Sequence, residues 1–267
     1  MSDIQWKKDG NISEKKAINI AALRRQREAT QPISAFAKTS NVSPELQVVL
    51  MFDITVSMFP YFDEVRKKLQ EIILSIKKEI TRSQFAVFAY RNHGDEEYDQ
   101  IYYASPLTAH PEEVFRFIQG IKRGGGGTDA LTCLEDCFRE ANQLSWDPKS
   151  KKAVVVIGDM PPHGVLDSVK KCSNGIDYAQ EVEEFKKKSI RIYSVFCGKK
   201  SKVRDFYQML SENTEGRFLE IAKVNLISDL LVGVCMKETG KLDKFLESLR
   251  EKKQLDPARE KTLKALK

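Results

Sequence analysis

The chain is 267 residues long, enough for one large domain or one domain with extensions, and its 41% hydrophobic and 31% charged residues describe a soluble globular protein. No apolar run approaches the ~18–20 residues of a membrane span, and the start Met1-Ser2-Asp3-Ile4-Gln5-Trp6-Lys7-Lys8 lacks the apolar core of a signal peptide, so a cytoplasmic protein is expected. The net charge of +6 is uneven: residues 1–44 carry eight Lys/Arg against four Asp/Glu, residues 237–267 carry ten against six, and residues 45–236 are left at −2.

A basic N-terminal extension (1–44), a slightly acidic body (45–236) and a basic helical C-terminal extension (237–267) are therefore expected. Within the first, residues 13–29 read as a basic helix with a thin apolar stripe of Ile18, Ala21 and Ala22, and 30–44 as an irregular connector rich in Ser, Thr and Asn around Pro32 and Pro44. The body opens on Val48-Val49-Leu50-Met51-Phe52, a short apolar run suited to a strand buried on both faces, followed by Asp53, Thr55 and Ser57. Val65, Leu69, Ile72, Ile73, Ile76 and Ile80 then repeat at helical period. Residues 85–90 read as a second buried strand, 91–97 as a polar loop, and 100–104 as a weaker strand at an edge. A helix over 111–122 follows, with Val114, Phe117, Ile118 and Ile121 on one face. After Gly124-Gly125-Gly126-Gly127-Thr128-Asp129, a helix begins at Leu131 and carries Leu134, Phe138, Ala141 and Leu144. A third buried strand, 153–158, ends at Asp159 and runs into Met160-Pro161-Pro162-His163-Gly164. Helices over 177–188 and 202–212 alternate with strands over 190–196 and 217–221. From residue 225 the chain reads as helical, with a break at Gly240 and a last stripe of Leu242, Phe245, Leu246 and Leu249 expected to pack on its own domain.

This alternation predicts an α/β fold: a doubly wound, mostly parallel sheet with helices on both faces and right-handed crossovers. In such a sheet the carboxyl-end loops share one edge. Asp53, Thr55 and Ser57 stand on one of these loops, Thr128 on a second behind the glycine run, and Asp159 on a third. Oxygen donors without His or Cys suit Mg2+ or Mn2+ better than zinc. The first loop taken alone reads equally as an Asp capping the next helix beside a polar turn. The five cysteines (Cys133, Cys137, Cys172, Cys197, Cys235) are odd in number and scattered, as reduced thiols are, and nothing completes a zinc site around Cys133 and Cys137.

The three loops resemble those of a von Willebrand factor type A (vWA) domain with a metal-ion-dependent adhesion site. Asp53-x-Thr55-x-Ser57 matches its first-loop pattern, Thr128 the threonine after glycines, and Asp159 the aspartate ending a hydrophobic strand. Asp159-Met160-Pro161-Pro162-His163-Gly164 and Tyr90-Arg91-Asn92-His93 are similar to the intracellular alpha-kinase-associated and bacterial subgroup. The segment 206–218 is similar to the family's late helix, turn and last strand, and the likeness covers about residues 45–240. Val56 and Asn92 depart from the pattern, standing where relatives often have Gly and Asp. The resemblance implies a Rossmann-like vWA fold in which Asp53, Thr55, Ser57, Thr128 and Asp159 hold Mg2+ (or Mn2+). Ser57, Thr55 and Thr128 would supply hydroxyls, and Asp53 and Asp159 would act largely through water. A protein partner would complete the coordination with an Asp or Glu, within an intracellular multiprotein system of the kinase-linked or stress-response kind.

Two other functions stay open on the sequence. A metal-dependent hydrolase could use His163 as a base, although no activated nucleophile is evident and Pro161-Pro162-His163-Gly164 also reads as a loop-shaping element. The glycine run lacks the Lys-Ser/Thr ending of a P-loop. The basic ends, with Trp6, Lys7, Lys8, Arg24, Arg25 and Arg27, could contact nucleic acid, but no nucleic-acid-binding motif accompanies them.

Overall fold

The apolar run at 48–52 forms the middle of β1 (Leu46–Asp53), every residue of which is buried. The structure, a computed structural model, describes residues 43–95, 100–126, 131–167, 170–221 and 223–267. The predicted helix over 13–29, the connector to residue 42, and Thr128 lie outside the described residues. Residues 43–267 form one compact unit.

Among the described residues, six strands make one sheet in the order β3-β2-β1-β4-β5-β6. β2 (Ser83–Tyr90), β4 (Lys151–Gly158), β5 (Arg191–Phe196) and β6 (Phe218–Glu220) all run parallel to β1. β3 (Tyr102–Ala104), the expected edge strand, is three residues long and pairs antiparallel with β2. Period-two alternation within the continuous apolar strands explains their burial on both sides. Val48, Leu50 and Phe52 of β1, with Ala153, Val155 and Ile157 of β4, enter one core. Val49 and Met51, with Val154 and Val156, enter the other.

The first core is closed by α1 (Phe59–Glu79), α2 (Pro111–Gly120) and α6 (Ile227–Glu238), the second by α3 (Leu134–Asn142), α4 (Tyr178–Lys187) and α5 (Ser201–Glu212). The predicted stripe of α1 is buried from Val65 to Ile76, and Phe62 joins it from the first turn. α6 stops where Gly240 takes φ +69. The amides of Gly240 and Lys241 bond back to the carbonyls of Lys237 (3.1 Å) and Met236 (2.7 Å), a left-handed cap that glycine adopts without strain. Beyond it, α7 (Leu242–Glu251) and α8 (Pro257–Lys264) lay Leu242, Leu246, Leu249, Leu263 and Leu266 into the first core. The stripe at 242–249 thus packs on its own domain, as expected.

One expected boundary moves. The helix predicted from Leu131 starts at Leu134. The amide of Thr132 bonds to the carbonyl of Pro161 (3.0 Å) and that of Cys133 to the carbonyl of Arg91 (2.7 Å), so other strand-end loops use donors that a first helical turn would leave free.

Candidate metal centre at the strand ends

The chain runs from β1 through α1 to β2 on one side of β1, then returns to β4 on the other side. The strand order therefore reverses between β1 and β4, and a crevice opens at their carboxyl ends. Asp53 is the last residue of β1, and Asp159 directly follows the last residue of β4. Their proximity is shown at Gly158, where an added Cβ would lie 3.1 Å from the Asp53 Cβ and 2.4 Å from the Tyr207 hydroxyl.

Asp53 is 1% exposed. Its Oδ1 accepts from the Thr55 amide at 2.8 Å and from the Thr55 hydroxyl at 2.6 Å, which sets the turn, and the Thr55 and Ser57 hydroxyls lie 3.4 Å apart. Ser57 belongs to a short 3-10 turn, 56–58, and is exposed, whereas Thr55 is buried. The helix-cap alternative for this loop is not what forms: Met58 precedes α1 and no side chain caps it. Val56, in the place where glycine was expected, is 63% exposed and points no bulk into the core. Thr128 lies outside the described residues, but Gly126 is against the first loop, its added Cβ falling 3.6 Å from the Thr55 Cβ.

Asp53 Oδ2 and Asp159 Oδ1 are buried and have no hydrogen-bond partner among the described residues. Such oxygens are costly unless something satisfies them. Burial, and then the Asp159 carboxylate, push the Asp53 carboxyl up to about 7, against the pull of the Thr55 hydrogen bonds and of the Asp159 backbone amide. Burial and the same two carboxylates also push up the Cys197 thiol. Two orphaned carboxylate oxygens with two hydroxyls beside them fit a hard divalent cation.

His163 is held elsewhere. Its Nδ1 lies 2.8 Å from Glu135 Oε1 at the start of α3, and its ring is edge-on to that of His93, centroids 5.0 Å apart. Around Glu135 stands a group the sequence reading missed: His93, Glu135, Asp136 and Cys172. Burial lowers the basicity of His93, but its hydrogen bonds to Asp136 and Glu135, with the charge of both carboxylates, outweigh it and raise its pKa to about 9. The usable signal was that His93 and His163 follow β2 and β4, whose ends share the edge that holds Asp53 and Asp159.

A doubly wound, mostly parallel sheet with paired acids at its switch point defines an α/β domain of Rossmann-like form. The profile of the von Willebrand factor type A domain matches residues 47–231, and the chain belongs to that family. Among solved structures, the pilus adhesin SpaC from Lactobacillus rhamnosus GG in its open conformation shares 13% identity at a TM-score of 0.55, over 75% of this chain and 30% of the adhesin. A second form of the same adhesin gives 14% and 0.56, over 75% and 31%. A von Willebrand factor type A structure from Catenulispora acidiphila gives 11% and 0.50, over 74% of this chain and 43% of that one. This chain therefore spans less than half of each, and at these identities the likeness is one of fold. A comparison with curated proteins finds no match.

Proposed function

We propose that the chain is a metal-dependent protein-interaction module of the adhesion-site type, with Asp53, Thr55, Ser57, Thr128 and Asp159 holding Mg2+ or Mn2+. The observation that carries this reading is the pair of buried, unpartnered oxygens, Asp53 Oδ2 and Asp159 Oδ1, on adjoining strand ends. The bound ion would supply an electron-poor coordination position that an Asp or Glu of a partner protein fills. Asp53 holds Thr55 by two hydrogen bonds, which places the Thr55 and Ser57 hydroxyls side by side at the mouth of the crevice. Hydroxyl donors cancel no charge, so an acidic partner is preferred over a neutral one. Exposed Val56 offers that partner an apolar contact beside the site.

The domain division 1–44, 45–236 and 237–267 belongs to this reading, with the interaction surface on the body. The intracellular setting, the subgroup, and a kinase-linked or stress-response assembly rest on the sequence resemblance. The hydrolase alternative is not favoured: His163 is buried, its ring edge-on to that of His93.

Titration with Mn2+, followed by electron paramagnetic resonance, tests the site. Wild-type protein should bind, while Asp53→Ala and Thr128→Ala should lose binding and still unfold cooperatively. Capture of partners in magnesium should fail in chelator. Unchanged Mn2+ binding by both variants would sink the proposal.

A further inference from the structure

The His93 cluster lies on the sheet face opposite α1, where the loops after β2 and β4 meet the amino-terminal end of α3. His93 Nε2 is 2.9 Å from Asp136 Oδ2, 3.8 Å from Glu135 Oε1 and 3.4 Å from Cys172 Sγ. Cys172 Sγ is 3.6 Å from Asp136 Oδ2. The donor atoms all lie within 4.8 Å of one another. Tetrahedral zinc, with bonds of ~2.0–2.3 Å to nitrogen, oxygen and sulfur, sets its ligands roughly 3.3–3.8 Å apart, so these atoms need small shifts to share one ion.

The surroundings point to a ligand independently. Glu135 is fully buried, and its Oε2 has no hydrogen-bond partner among the described residues. Two adjacent carboxylates, Glu135 and Asp136, 0% and 4% exposed, face one imidazole. A purely structural ion-pair network gains little by leaving one buried oxygen unsatisfied. The outer contacts aim the donors as supporting groups around metals do. His163 Nδ1 holds Glu135 Oε1 at 2.8 Å, and the Asn174 amide donates to Asp136 Oδ1 at 2.6 Å, leaving Asp136 Oδ2 for the centre.

We propose that His93, Glu135, Asp136 and Cys172 form a buried zinc site, separate from the strand-end magnesium centre and structural in role. A thiolate and an imidazole select a borderline-soft cation over magnesium. When zinc binds, the Cys172 thiol and the Nε2–H of His93, both set against Asp136 Oδ2, each release a proton to solvent, and the thiolate and two carboxylates together more than offset the charge of the ion. Zinc would tie together the loops after β2 and β4, the segment around residue 172 and the start of α3, and so stiffen the edge that carries the first site.

Cobalt as a spectroscopic probe, with zinc as competitor, tests this on the full chain. Wild-type protein should bind about one Co2+ with tetrahedral visible bands and a thiolate-to-cobalt charge-transfer band, and zinc should displace it. Cys172→Ser should lose the charge-transfer band, and His93→Ala should lose tight binding. His163→Ala or Asn174→Ala should weaken zinc about 10–100-fold, which a merely structural role would not do. Asp53→Ala should leave the spectrum unchanged, separating this site from the magnesium centre. Absence of the band in wild-type protein overturns the proposal even if every variant fails to fold. A band retained in Cys172→Ser, or unaltered zinc affinity in His93→Ala, also overturns it.

Discussion

Asp53 shows what one residue at a strand end has to reconcile. It is buried like its apolar neighbours in β1, yet it is a carboxylic acid beside a second carboxylate. Its folded-state pKa of about 7 stands above the unfolded value near 3.8. The native state therefore holds the proton more tightly than the unfolded chain. That stabilisation is complete below the unfolded pKa and is lost as pH rises through about 7. In chelator, wild-type stability should fall relative to Asp53→Asn between about pH 4 and pH 7, by at most about 4 kcal/mol. Urea unfolding of both proteins across that range measures it. Magnesium should restore the wild-type protein near neutral pH and leave Asp53→Asn little changed, since an ion that binds only the folded state adds stability by mass action. A constant difference between the two proteins at every pH would show that Asp53 is already ionised in the folded, metal-free state.

The loop elements carry the site, and their shape rests on backbone that few residues can adopt. Gly125 has φ +84, and a Cβ there would lie 2.4 Å from Asp95 Oδ2. That same oxygen accepts the amides of Asn92 and Gly126, each at 3.0 Å, and so pins the glycine run to the loop after β2. Gly125→Ala should displace Asp95, cost roughly 1–3 kcal/mol, and weaken Mn2+ binding by moving Gly126 away from Thr55. Thermal unfolding and the resonance titration read the two effects, and wild-type Mn2+ affinity in the variant would free the glycine run of any role in the site. These elements also mark where the sequence could be read. β1, β2 and β4 declare themselves because a strand covered on both faces must be apolar throughout, and α1 because its buried stripe, Phe62 to Ile76, repeats over about four turns. The start of α3 does not, because Thr132 and Cys133 give their amides to carbonyls of distant loops. The His93 cluster does not either: Cys172 is 79 positions from its imidazole, and only the crossovers bring them together. The placement of Asp53 and Asp159 at adjoining strand ends was legible because each ends an apolar strand, a local signal that His93 and Cys172 lack.

At the scale of the whole molecule, the family match ends at residue 231 while the apolar core continues into α7 and α8. The segment 237–267 is basic, yet its leucines lie at helical spacing and, as expected for 242–249, enter the core beside α6. The closest fit is at Gly233 of α6, where an added Cβ would fall 2.5 Å from Leu263 Cδ2 and 2.7 Å from Leu266 Cδ1. Glycine there lets α8 sit directly on the α6 backbone. Ion pairs add to the contact: Arg259 Nε and Nη2 reach the two oxygens of Asp229 at 2.8 and 2.5 Å, and Lys241 Nζ reaches Glu45 at 3.1 Å. These pairs are half-buried, and the Arg259–Asp229 pair is bidentate, but the fully buried Leu263 and Leu266 carry the larger burial. Leu263→Ala should cost about 2–5 kcal/mol, and Leu266→Ala a similar amount, the double variant differing from the sum because both sit over one glycine. Chemical denaturation of the three variants measures these losses. Mn2+ affinity of the folded fraction should stay at the wild-type value, because the crevice between β1 and β4 does not touch α8. If Leu263→Ala left stability intact, the C-terminal helices would be a detachable extension; if it weakened metal binding without unfolding the protein, they would be coupled to the site through α6.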